Sequence, residues 1–144
     1  MNTMSNSINI DNTGNNVIQT SDPIAISNNF VTFYYTAIDQ NPNNLVNSNG
    51  EFIYKEHSEY CIQGVTLKGQ NNIFNRLMEL HSRGSKHNIN SIDIIPSGSR
   101  RINIVVTGQI QLDGFTYSFT EYFHLASGKK GSGWWIQSNI LRTL

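Results

Sequence analysis

The sequence predicts an α+β domain, with helices packed on one face of a strongly curved antiparallel sheet. Two apolar stripes at helical spacing lie between Phe30 and Leu80, and apolar–polar alternation fills the last third. Between two of the alternating runs stands Asp113-Gly114, and glycine tolerates the positive φ that a tight hairpin turn needs.

Residues 1–26 are rich in Asn, Ser and Thr and show neither period. Such a stretch cannot bury enough apolar surface to offset its ordering entropy, so a disordered tail is expected there, with the folded domain over 27–144. Ser27 is positioned to cap a helix. Phe30, Val31, Tyr34, Tyr35 and Ile38 then form one broad apolar stripe, ended by Asn41-Pro42. Leu45 to Tyr54 is loop-like, with Phe52-Ile53-Tyr54 read as a single helical turn. Ser58 to Gln63 and Val65 to Leu67 make a small hairpin about Gly64. A second helix is expected from Gln70 to His81, with Ile73, Leu77 and Leu80 on its buried face, Phe74 and Met78 beside them, and Gly84 at its C-terminal cap. Ile89 to Ile95 is a strand, and Pro96-Ser97-Gly98 turns the chain into the meander.

In the meander Ile102, Ile104, Val106, Ile110 and Leu112 share one face, as do Phe115, Tyr117, Phe119, Phe123 and Leu125 after the turn. Glu121 is a charged intruder on this apolar side. A turn over Ser127 to Gly133 leads to a last strand, Trp134 to Thr143. The opposite face carries Asn103, Thr107, Gln109, Gln111, Thr116, Ser118, Thr120, Tyr122 and His124, polar yet almost uncharged. Solvated sheet faces draw Lys and Glu, whereas protein interfaces are depleted in charge and enriched in Tyr. This face is therefore expected to meet another protein.

The chain has 144 residues, enough for one domain with a real core. Its net charge is zero and only 14% of residues are charged, against about 25% in an average domain. A neutral chain without a basic cluster argues against direct contact with nucleic acid or an anionic membrane. Cys61 is the one cysteine, which excludes an internal disulfide and fits a reducing compartment; in a strand, a buried apolar thiol is expected. No apolar run approaches the roughly 18 residues that span a bilayer, and the N-terminus has no leader pattern. A soluble intracellular protein is expected.

No phosphate loop, metal-spaced Cys or His pair, or serine elbow occurs. His57, His81, His87 and His124 fall in different elements. No catalytic, cofactor-binding or metal residue is assigned, and no cofactor is expected.

The order of these elements resembles the nuclear transport factor 2-like family, whose cystatin-like fold is a cone of bent antiparallel sheet wrapped on one side by helices. The resemblance is carried by Phe30-Val31, Tyr34-Tyr35 and Asp39 in the first helix, and by Ile53-Tyr54, Ser58, Gly64 and Gly69 around the hairpin. It continues with Asp93 three residues before Pro96, Val106-Thr107-Gly108, Phe119-Thr120-Glu121-Tyr122-Phe123 with Leu125, and the closing Ser138-Asn139-Ile140-Leu141-Arg142. It runs from about residue 28 to 143.

The resemblance implies a non-enzymatic nucleocytoplasmic transport adaptor, pairing through its sheet face with a related domain of a messenger RNA export receptor or with a second copy of itself. Asp93, Gln109, Gln111, Thr120, Tyr122 and His124 are the partner-binding candidates. Nucleoporin contact through the dimer and a location in nucleus, cytoplasm and nuclear pore are implied with it. Two alternatives share the fold: a homodimeric carrier of Ran-GDP, and a small-molecule cavity enzyme such as an isomerase or dehydratase. The carrier uses acids around the cone mouth, where this chain has Gln63 and only Asp113. The isomerase-like enzymes place a carboxylate base near Ile62-Gln63, and neither residue can act as one. An adaptor's cone is expected to be filled, here by Tyr34, Phe74 and Trp135.

Overall fold

The computed structural model describes residues 22–128 and 133–144. The expected tail, up to residue 21, and the centre of the last turn, residues 129–132, lie outside them. The chain forms α1 (Pro23–Gln40), a short 3₁₀ turn (Pro42–Asn44), β1 (Tyr54–Ile62), β2 (Val65–Lys68), α2 (Gln70–Ser82), β3 (Lys86–Pro96), β4 (Arg101–Leu112), β5 (Phe115–Ser127) and β6 (Trp134–Thr143). The strands make one sheet in the order β2-β1-β6-β5-β4-β3. All pairings are antiparallel except that of β1 with β6, which is parallel.

Helix α1 starts earlier than Ser27. The Asp22 carboxylate accepts from the Ile24 backbone N–H at 3.1 Å, and Pro23 occupies the first helical position, where its missing donor costs nothing. Ser27 instead sits inside the helix, buried, with its hydroxyl unpartnered among the described residues. Residues 23–26, expected in the tail, are therefore helical. The stripe from Phe30 to Ile38 is buried as expected.

Phe52-Ile53-Tyr54 is not a helical turn. Phe52 bridges Val46, and Tyr54 already begins β1, a strand longer than the expected Ser58–Gln63. Gln63 lies in the turn itself, with φ 50°, followed by Gly64 at φ 86°. The same left-handed pair recurs at Asp113 (φ 53°) and Gly114 (φ 83°), the geometry of a two-residue hairpin.

The helices cover the inner face of the sheet, where the meander's apolar alternation ends. Phe123 of β5 meets the rings of Phe30 and Tyr34 edge-on at 5.0 and 4.8 Å, a favoured aromatic geometry. Opposite β4, strand β3 carries a bulge between Ile89 and Ser91. There a side chain at Gly108 would meet the Asn88 carbonyl oxygen at 2.2 Å. Glycine is required at this crossing because backbone approaches backbone.

Some expected core residues change place. Trp134 is buried in the core, whereas Trp135 points to the outer face, under the Lys55 ammonium at 5.1 Å. A bulge on β6 opposite His124 and Leu125 shifts the phase between them. Phe74 is half-buried against Phe52, and Tyr34 is fully buried. Cys61 is half-exposed on the outer face, opposite Ile140, rather than a core thiol. Glu121, the charged intruder, is buried outright.

Candidate protein-binding face and cone mouth

The outer face of the sheet is built by register. Asp93 stands opposite Val105, Val105 opposite Tyr122, Tyr122 opposite Ile140, and Ile140 opposite Cys61, so one row crosses five strands. The next rows bring Ser91, Thr107, Thr120 and Arg142 together on one side, and Ile95, Asn103, His124 and Ser138 on the other. Gln109 and Gln111 extend the face toward the Asp113 turn, opposite Ser118 and Thr116. Every partner-binding candidate from the sequence therefore lies on this single face. Asp93 sits mid-strand, so it does not cap the turn before Pro96, and among the described residues no ion pair engages it.

Sequence reasoning missed the apolar part of this face. Ile140 is 49% exposed and Ile95 69% exposed, both on outer-facing positions. The parity of Ser138, Ile140 and Arg142 was the available signal, obscured by the bulge at the start of β6.

A polar cluster fixes one end of the face. The Tyr122 hydroxyl donates to Asn103 Oδ1 at 2.6 Å, and His124 Nδ1 lies 2.9 Å from the same oxygen. Arg101 stands 3.3 Å from His124 Nε2. Since a guanidinium can only donate, Nε2 accepts and Nδ1 carries the proton. Burial and the Arg101 charge hold the His124 imidazole below its ordinary range, and burial raises the Tyr122 phenol. The cluster is thus neutral at His124 and already oriented without a partner.

Gln63 and Asp113, the residues expected at a cone mouth, lie in two separate turns, and both are occupied within the chain. Gln63 Oε1 accepts from the Thr143 backbone N–H at 2.6 Å, and its amide donates to the Thr143 carbonyl at 3.4 Å. Asp113 accepts from Arg83 Nε at 2.8 Å, across an exposed ion pair. Among the described residues no group of His, Cys, Asp and Glu could hold a metal ion, and no helix is long and apolar enough to cross a membrane.

A family model described as the nuclear transport factor 2 (NTF2) domain matches residues 26–143. The chain belongs to the NTF2 domain family. Nuclear transport factor 2B of Arabidopsis thaliana is 32% identical over 124 residues, covering 84% of this chain and 94% of that protein. The structure of nuclear transport factor 2 from Cryptosporidium parvum superposes with a TM-score of 0.72 at 25% identity, covering 85% of this chain and 94% of that one. One chain of the Mex67:Mtr2 complex with a Sac3N peptide superposes with a TM-score of 0.65 at 14% identity, covering 85% and 99%, a likeness of fold alone. The NTF2 fold and a role in nuclear transport are therefore the frame for this chain.

Proposed function

We propose that the chain is a non-enzymatic nucleocytoplasmic transport adaptor that pairs through the outer face of its sheet. The observation that carries this reading is the row Asp93, Val105, Tyr122, Ile140 and Cys61 across five strands, flanked mostly by uncharged polar residues, with Arg142 and Ile95 among them. A standard interface covers roughly 800 Å² per partner, and a face of this breadth fits it. Asp93 supplies a charge for a partner's guanidinium. In a second copy of this chain, Arg101 or Arg142 on the same face would serve.

Within this reading, the small dimerising subunit of a messenger RNA export receptor is supported by the state of the mouth. Gln63 is neutral and hydrogen-bonded to Thr143, and Asp113 is paired with Arg83, so neither acid-lined contact with Ran-GDP is offered. The Ran-GDP carrier is the second reading, favoured by relatives that bear the name nuclear transport factor 2. A catalytic reading has less support: the buried Glu121 carboxylate is engaged on both oxygens by the chain's own donors. A location in nucleus, cytoplasm and nuclear pore, with nucleoporin contact through the dimer, follows from the adaptor role.

Titrating the purified protein with Ran-GDP, and separately with the related domain of an export receptor, separates the readings. The expected result is complex formation with the receptor domain and none with Ran-GDP, Gln63→Glu recovering only part of the Ran contact. Micromolar binding of Ran-GDP by the wild type would favour the carrier instead.

A further inference from the structure

Beneath α1 a ring of hydrogen bonds surrounds Glu121. Tyr35 donates to Oε1 at 2.8 Å, and the Asn139 amide donates to Oε2 at 2.7 Å. Tyr54 donates to Asn139 Oδ1 at 3.2 Å, and the Tyr34 and Tyr54 hydroxyls are 2.8 Å apart. Because Tyr54 spends its proton on Asn139, Tyr34 is the donor between them. Tyr60 of β1 stands beside both Glu121 and Tyr34; with its own proton turned to Glu121 and the Tyr34 proton on Tyr54, the Tyr34–Tyr60 side of the ring is open. Its members come from α1, β1, β5 and β6, and Tyr34, Tyr54, Tyr60, Glu121 and Asn139 are all about 1% exposed or less.

As drawn, every donor runs toward the carboxylate, the arrangement of an ionised acid. A protonated acid must donate once, and the Asn139 amide can accept only after turning over. It then donates to Tyr54, Tyr54 to Tyr34, Tyr34 to Tyr60, and Tyr60 to Glu121. With one proton taken from solvent the five donors fill all five sides, the Tyr60 bond to Glu121 keeping its sense, and the new Tyr34 to Tyr60 bond ties α1 to β1 with no buried charge. We propose that this ring is a proton-linked lock, in which a proton gained at Glu121 turns over the Asn139 amide, reverses the bonds through Tyr54 and Tyr34, and tightens α1 on the sheet.

The groups facing Glu121 set the balance. Burial raises its carboxyl from 4.5 to about 7, against the lowering influence of the His87 imidazole on β3 and of the Tyr35, Asn139 and Tyr60 donors. His87 in turn lies 2.7 Å from Asp39 of α1. Burial also lifts the tyrosines well above their ordinary value, so they act as hydrogen-bonding groups and carry no charge near neutrality. A native carboxyl that holds its proton more tightly than the unfolded one stabilises fully below 4.5, and this stabilisation is lost as pH rises through about 7.

The test follows two signals of the whole protein from pH 5.5 to 8. The thermal midpoint of the wild type should fall by about 5 °C per pH unit up to neutrality, the unfolding constant rising up to about tenfold per unit. Glu121→Gln should flatten that slope. In nuclear magnetic resonance of the wild type, the Asn139 side-chain amide should titrate with a midpoint near 7. An Asn139 amide unmoved across this range, or a midpoint slope that survives in folded Glu121→Gln, would overturn the proposal. If Glu121→Gln does not fold, the wild-type amide titration alone decides.

Discussion

Replacing Gly108 with alanine is expected to lower the thermal midpoint by about 12 °C, from about 3 kcal/mol of lost stability. The added Cβ would lie 2.2 Å from the Asn88 carbonyl oxygen and 3.1 Å from Ile89 Cα, and both are backbone atoms that no rotamer change can move. The β3 bulge would have to open, or β4 would have to shift out of register. Since Asp93 lies only a few residues along the same strand, the variant should also weaken pairing through the outer face. A melt followed by circular dichroism checks it; a midpoint within 2–3 °C of wild type, less than about 1 kcal/mol, would show that the bulge absorbs the methyl group.

Asn139→Leu is expected to cost about 3–5 kcal/mol, the penalty for stripping a partner from a buried charge. It removes the donor to Glu121 Oε2 and the acceptor for Tyr54 together, leaving two buried polar groups unsatisfied. The sign with pH is specific. Losing a donor to the ionised form raises the Glu121 carboxyl further, so the penalty should be larger at pH 8 than at pH 5.5. Denaturant unfolding at the two pH values measures both. An equal loss at each would mean that Asn139 acts by shape alone.

How much of this was legible in the sequence depended on the range of each signal. Alternation from Ile102 to Leu125 is a local, period-two property, and it placed both faces of β4 and β5 correctly except at the start of β5, where Phe115 is 66% exposed. The stripe from Phe30 to Ile38 was equally plain, while its start was misread because Ser27 looks as good a cap as Asp22. Ile26, buried one turn before Phe30, carried the missing clue. Trp134 and Trp135 exchanged roles because a bulge resets the parity that simple counting assumes. The Glu121 ring was invisible for a different reason. Its carboxylate meets Tyr35 across 86 positions and Asn139 across 18, and no periodicity links residues brought together by α1, β5 and β6. The parallel pairing of β1 with β6 is likewise a fact of topology, not of local pattern.

Pairing through the outer face is the centre of the account, and Asp93→Arg tests it most directly. Size-exclusion chromatography with light scattering would be run on the chain alone and mixed with the related export-receptor domain, beside a thermal melt. The wild type should appear as a two-domain particle in at least one of these samples. Asp93→Arg should melt like wild type, because Asp93 is exposed and makes no ion pair among the described residues, and should run as a single domain in both. A folded Asp93→Arg protein that still pairs, or a wild type that is monomeric in every sample, would contradict the assignment.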